Sequence, residues 1–202
     1  VQVDPKIELS FEEGLRGILR QDPDVLMIGE IRDQETARIG IRAALTGVYV
    51  LSTIHASDTA STIVSLQNYG VPGFLLSASL QGIISQRLVR KICPYCRYEV
   101  EADLAAYLAL EIEPDERPGL MLARGRGCPA CFQTGFLGRT GIFEVMVIDE
   151  GGLRDLIMVQ TAKDVYRQVA IETHMQSLKQ SAINKILEGV TSLEEIYRVG
   201  MI

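Results

Sequence analysis

The sequence lacks an uninterrupted apolar run long enough to cross a bilayer. Its most apolar long stretch, Phe74 to Val89, is broken by Gln81, Gln86 and Arg87, whereas a spanning helix needs about 20 consecutive apolar residues. No signal-peptide pattern opens it, so a cytosolic chain is the expectation, with a peripheral membrane partner left open. An excess of positive charge is also missing. Twenty Lys and Arg stand against 26 Asp and Glu, a net charge of -6 at a sequence pI near 5.0, which gives phosphate backbones no general attraction and argues against a nucleic-acid partner. No Gly-Lys dipeptide occurs, so the Gly-x4-Gly-Lys-Ser/Thr loop that cradles a β-phosphate is absent from these residues. Repeats and low-complexity segments are absent as well. The opening Val-Gln-Val-Asp-Pro-Lys has no initiator Met and reads as the middle of a strand, so the chain is expected to be a piece of a longer protein.

What is present suits a folded chain: 202 residues, 47% of them hydrophobic, enough for one substantial core with a smaller module attached. Ser10 and Glu13 have capping-box spacing and open a helix that Pro23 stops near Asp22. Leu15, Ile18 and Leu19 form its apolar face, and Arg16 and Arg20 project together from the other. The continuous apolar run Val25 to Ile28 suits a parallel strand buried on both faces, and it ends in Gly29-Glu30-Ile31-Arg32-Asp33. A helix from Gln34 to Thr46, closed by Gly47, leads to a second apolar strand, Val48 to Thr53. Strand, helix and strand with short connections make a βαβ unit with parallel strands. After the loop Ile54 to Asp58, helices are predicted over Thr59 to Asn68 and Gly73 to Lys91.

From Cys93 to about Gly138 the character changes, with one predicted helix at Ala102 to Leu110 and glycines around Gly125 to Gly127. Thr140 to Ile148 reads as a return strand to the main sheet. Beyond Gly151 the pattern is helical, and Ser192 with Glu195 forms a second capping box. Three segments result: 1–92 continued by 139–150, 93–138, and 151–202.

All four cysteines fall in two Cys-x2-Cys knuckles, Cys93-Pro94-Tyr95-Cys96 and Cys128-Pro129-Ala130-Cys131. Each knuckle aims two sulfurs at one centre, and two together supply a tetrahedral thiolate shell for Zn2+. The alternative is two metal-free pairs, redox or structural, although disulfides are disfavoured in the cytosol. A closed tetrathiolate has no position for water, so the metal would fold the module rather than catalyse. In open parallel sheets ligands bind at the carboxyl ends of the strands, and the two strands lead into Glu30 and His55. An acidic residue ending a hydrophobic strand is one way to hold Mg2+ near phosphate, and it is equally the solvated end of an ordinary strand. His174 is read as a structural group.

Several runs carry a resemblance in order: Gly14-Leu15-Arg16, Leu19-Arg20-Gln21-Asp22-Pro23-Asp24, Gly29 to Asp33 with Glu35-Thr36, and Leu51-Ser52-Thr53-Ile54-His55. They continue through Gln86-Arg87-Leu88-Val89-Arg90, the cysteine knuckles, and Gly138-Arg139-Thr140-Gly141-Ile142-Phe143-Glu144. Nearly the whole chain thereby resembles the type II secretion and type IV pilus-assembly ATPase family. The resemblance implies an α/β fold: the carboxy-terminal part of a RecA-like P-loop NTPase core, a small tetracysteine zinc subdomain at 93–138 and a helical subdomain at 151–202. It also implies a homo-hexameric cytoplasmic motor, peripherally associated with the inner membrane, that hydrolyses ATP with Mg2+. Such a motor works on the inner-membrane platform and adaptor proteins of a secretion or pilus machine. Glu30 would be the acidic residue near Mg2+, and His55 the residue that senses the γ-phosphate. Arg16 and Arg20 would reach a neighbouring subunit's nucleotide; their bland reading is a solvated helix face. Cys93, Cys96, Cys128 and Cys131 match a zinc insertion of the secretion and pilus-extension branches that the retraction branch lacks. Without the phosphate loop and the upstream acidic box of the family, this chain alone is expected to be inactive. The alternative function is a non-catalytic zinc-ribbon module that docks a membrane or cytoskeletal partner.

Overall fold

The computed structural model describes residues 11–148 and 152–201. Packing divides the chain into two units, one of Val1–Ile83 with Met146–Met175 and the other of Ile84–Val145 with Gln176–Ile202. This division follows the proximity of backbone segments, whereas the sequence division at 92, 138 and 150 follows composition. The first two carboxy-terminal helices pack in one unit and the last two in the other.

The first unit begins with α1 (Phe11–Leu19), β1 (Val25–Ile31), α2 (Gln34–Leu45), β2 (Tyr49–Ile54), α3 (Thr59–Asn68) and α4 (Gly73–Ser79). Asp33 caps α2 by accepting from the Thr36 amide at 2.8 Å, and Gly47 follows its end at φ +101°, a conformation that favours glycine. β1 and β2 pair in parallel, Val25 opposite Tyr49 and Met27 opposite Leu51, as the βαβ reading requires. Leu26, Ile28 and Ile31 point into the core with Ile39 and Ile41 of α2, Ile63 of α3 and Leu76 of α4. The expectation that Val25 to Ile28 is buried on both faces does not hold in the described residues. Val25, Met27, Tyr49 and Leu51 are exposed on the opposite face.

A helix over Gly73 to Lys91 is not found. α4 stops at Ser79, Leu80 turns extended, and β3 runs from Gly82 to Ile92. The reason lies in the period: Ile83, Ser85 and Val89 are buried while Ile84, Gln86 and Leu88 are exposed, which is alternation at two residues rather than a helical stripe. β4 (Arg97–Glu101), α5 (Leu104–Leu110) and β5 (Met121–Gly125) follow, and then β6 (Phe136–Val147). The return strand therefore pairs with β3 and not with the β1–β2 sheet, because residues 82–92 offer it a strand. β4 and β5 pair antiparallel.

The helices α6 (Leu153–Val159) and α7 (Lys163–Glu172) complete the first unit, and α8 (Leu178–Leu187) and α9 (Leu193–Arg198) the second. In the second core Val89 and Ile142 meet Leu110, Leu122, Ala182, Ile186 and Ile196. Ser192 caps α9 through the Glu195 amide, but the Glu195 side chain is claimed elsewhere. It accepts from the Arg90 amide at 2.9 Å, from Arg90 Nε at 2.8 Å and from Arg198 Nε at 2.7 Å. These donors hold its carboxyl at about 2, against the burial that raises it. The capping box read at Ser192 is thus half formed. The box at Ser10 lies outside the described residues, as does the opening strand. Among the described residues no helix is long and apolar enough to cross a membrane.

Candidate functional site

The carboxyl ends of β1 and β2 bring two of the sequence-predicted residues together. Ile31 stands opposite Ile54 after a register shift beyond Ile28, and Thr53 Oγ1 donates to the Gly29 carbonyl at 2.7 Å, tying the two strand ends. Glu30 thereby leaves β1 beside the residue that follows β2. Its Oε1 lies 2.7 Å from His55 Nε2, and its Oε2 lies 3.4 Å from Arg32 Nε. The His55 side chain is 90% exposed and that of Glu30 is 26% exposed, so the imidazole covers the carboxylate from the solvent side.

The Glu30–His55 contact is attractive only when Nε2 carries a proton, since the other neutral tautomer would set two lone pairs face to face. Oε1 is buried, and His55 Nε2, its near polar neighbour at 2.7 Å, is not aligned with it as a hydrogen-bond donor. A carboxylate oxygen in that state suits a hard cation such as Mg2+, which takes one or two carboxylates and completes its shell with water and phosphate oxygens. The residues present therefore fit the metal at this edge, with Glu30 as the residue to hold it.

Arg16 and Arg20 are not drawn into this pair. Arg16 forms an ion pair with Glu12 one helical turn away, and Arg20 lies beyond the end of α1 and is exposed. Glu12 also meets Glu35 of α2: their shared hydrogen bond lowers the Glu12 carboxyl and raises that of Glu35. Both arginine side chains are exposed, Arg16 within α1 and Arg20 one residue past its end. His174 is exposed at φ +73°.

One residue of this edge escaped the sequence reading. Asp58 was read as the end of a loop, yet it is 8% exposed and caps α3 through the Ser61 amide at 2.7 Å. Lys163 Nζ and Arg167 of α7 stand 3.4 and 3.5 Å from its Oδ2. The Asp58-x2-Ser61 spacing signals the cap; nothing local signals the cations, which lie more than a hundred residues downstream.

The second site is the cysteine cluster. All four sulfurs lie within 4.8 Å of one another, with Cys93 to Cys128 at 3.9 Å, Cys96 to Cys131 at 3.9 Å and Cys128 to Cys131 at 3.7 Å. A tetrahedral ion with bonds of about 2.3 Å sets its sulfurs about 3.8 Å apart. A disulfide needs about 2.05 Å, and all four cysteines are free. The donor set and its spacing therefore fit Zn2+. Amides support it: Cys128 N and Gly135 N donate to Cys131 Sγ at 3.2 and 3.3 Å. Burial works against the Cys131 thiolate, but those two donors hold the thiol at about 6. Cys96 is pushed up to about 11, by burial first and by the neighbouring thiols. The knuckles close because Gly125 and Gly135 pass backbone to backbone, where a Cβ on Gly125 would fall 2.1 Å from the Gly135 carbonyl oxygen.

Comparison with known proteins gives the family of the chain. The family described as "Type II/IV secretion system protein" matches residues 1–198. The chain is 45% identical over 198 residues to the type II secretion system protein E of Pseudomonas aeruginosa, covering 98% of this chain and 39% of that protein. It is 42% identical over 202 residues to the type II secretion system ATPase E of Vibrio cholerae, covering 98% and 39%. With the type IV pilus assembly ATPase PilB of Thermus thermophilus it shares 41% over 195 residues, covering 96% and 22%. The chain thus spans two fifths or less of these relatives. Among solved structures, the pilus retraction motor PilT with bound ADP superposes with a TM-score of 0.63 at 27% identity, over 94% of this chain and 43% of that one. The Legionella pneumophila ATPase DotB, at 23% identity and a TM-score of 0.64 over 94% and 42%, shares the fold. With a family model over residues 1–198 and relatives more than 40% identical, the chain belongs to the type II/IV secretion system protein family.

Proposed function

We propose that the chain is the carboxy-terminal part of an ATP-hydrolysing motor that drives type II secretion or type IV pilus assembly, with a RecA-like core, a zinc subdomain and a helical subdomain. The observation that carries this reading is the 2.7 Å approach of His55 to Glu30 at the carboxyl ends of two parallel strands, the edge where open α/β sheets bind their ligands. Glu30 would hold a cation near the phosphates. His55, on the solvent side of that carboxylate, meets the terminal phosphate as hydrogen-bond donor and reports its presence back to Glu30. Mg2+, when bound, neutralises charge on the phosphates, which phosphoryl transfer requires more than covalent catalysis. The phosphate cradle belongs to sequence outside these residues. Arg16 and Arg20 are proposed to serve the nucleotide of an adjacent copy in a hexameric ring, and Arg16 would exchange Glu12 for phosphate when that copy docks. The proposed setting is the cytoplasmic face of the inner membrane, on the platform and adaptors of the machine.

In a full-length chain, Glu30→Gln should lower ATP turnover by about 100-fold or more while zinc content stays at one per chain. Retained turnover would sink the assignment. The second reading, a zinc-ribbon module that docks a protein partner, draws on the exposed aromatics at the knuckle tips, Tyr95 at 75% and Phe132 at 88%. It would gain if turnover proved independent of Glu30 and His55 while Tyr95→Ala and Phe132→Ala abolished secretion or piliation.

A further inference from the structure

The loop that presents His55 is short and carries an exposed side chain, so something must hold its backbone. At its start the loop is tied by the Ile31 and Ile54 register and by the Thr53 to Gly29 hydrogen bond. At its end stands Asp58, whose surroundings exceed what a helix cap requires. The cap itself needs one oxygen, which Ser61 N takes at 2.7 Å, and Thr62 N completes the first turn on the Asp58 carbonyl at 3.1 Å. Asn or Ser would cap as well. Asp33 and Asp103 cap α2 and α5 in the same way at 2.8 Å, and among the described residues neither draws an ion pair from another helix. Asp58 draws two, from Lys163 and Arg167, one turn apart on α7, and Ser57 Oγ donates to the same Oδ2 at 3.2 Å.

Burial works against the Asp58 charge, but the Ser61 amide and the two cations hold its carboxyl below the usual aspartate range. The same helix grips α3 farther along. Gln67 Nε2 donates to Tyr166 OH at 2.9 Å, and Thr59 Oγ1 lies 3.6 Å from the sulfur of Met175, just beyond α7. α7 is therefore fixed along the length of α3, and Asp58, which its charged end meets, lies three residues from His55 in sequence.

We propose that Asp58 is a positioning residue: gripped by Lys163 and Arg167 of α7, it fixes the end of loop 54–58 so that His55 stays in register with Glu30. The carboxy-terminal helices thereby set the geometry of the strand-end site. Its kinetic consequence rests on the motor reading; its structural consequence does not.

The experiment compares Asp58→Asn, which keeps the cap oxygen and removes the charge, with the double variant Lys163→Gln/Arg167→Gln, which leaves Asp58 intact. Lys179→Gln is the control. Backbone order parameters of Ala56 and Ser57 in this chain should fall from about 0.85 to below about 0.6 in both variants, while those of Ile39 and Ile41 in α2 stay unchanged. In a full-length chain both variants should lower kcat roughly tenfold with the KM for ATP unchanged, and Arg167→Lys should retain kcat within about twofold. Unchanged order parameters would overturn the clamp whatever the turnover. Lowered order parameters with full kcat, in an enzyme that does require Glu30, would overturn the positioning role. If Glu30→Gln leaves turnover intact the motor reading falls, and the order parameters still decide whether the clamp exists.

Discussion

The two candidate sites differ in how completely this chain builds them. The cysteine cluster is closed: four sulfurs, two short knuckles and the amides that support them all lie within residues 93–135. The strand-end site is open: one carboxylate with a buried oxygen short of a donor, one exposed imidazole and a flanking arginine. A structural metal needs a fixed ligand count at fixed distances, and short motifs supply that locally. On the motor reading proposed above, a nucleotide spreads its charge over several phosphates and draws on segments far apart in sequence, so the strand-end residues would supply only part of its site.

The contrast can be tested from its closed side first. Cys128→Ser should release the metal, taking zinc by mass spectrometry from about one per chain to well under one, and unfold the knuckles. Slow amide exchange at Leu26 and Ile28 should survive, because those residues pack in the other core; loss of protection there would show that the two units fold as one.

The buried carboxylate of the second unit comes next. Glu195→Gln leaves two guanidinium groups short of a partner and should cost about 2 to 3 kcal/mol in urea unfolding. That is toward the low end for a broken buried pair, because both arginines reach solvent. Its folded pKa is depressed, so the stabilisation is fully present above the unfolded value of about 4.5 and is lost as pH falls through about 2. The gap between wild type and Glu195→Gln should hold steady from pH 7 to about 5 and shrink below about 4.5. A gap that shrinks instead as pH rises would contradict the network.

Smaller effects bracket the comparison. Tyr166→Phe removes the acceptor of Gln67 and should cost about 1 kcal/mol, measured by thermal unfolding of the first unit. Lys179→Ala breaks an exposed pair with Glu111 and should change stability by no more than about 0.5 kcal/mol.

Much of the strand-end site was legible because its parts are local. The Gly47 stop and the Thr59–Asn68 helix appear where the sequence sets them, and the parallel pairing followed from a short βαβ connection. Residues 82–92 misled because Ile, Leu and Val recur densely enough there to satisfy a helical count as well as an alternating one. The placement of β6 failed for the same cause, since the expected helix hid its true neighbour. Glu195 kept the spacing of a capping box, yet the Arg90 guanidinium and amide made a better offer to its carboxylate.

The sequence by itself determined which residues could meet: the cysteine pairs, the acidic end of β1, the histidine after β2 and the Ser192 cap of the last helix. Each of those depends on spacing within a few residues, where backbone geometry alone fixes direction. Tertiary structure decided which residues do meet. It gave β3 its partner, divided the carboxy-terminal helices between two cores, and brought Lys163 and Arg167 onto Asp58. Contacts between residues far apart in sequence arise from burial of whole faces, and no local pattern records where the other face comes from.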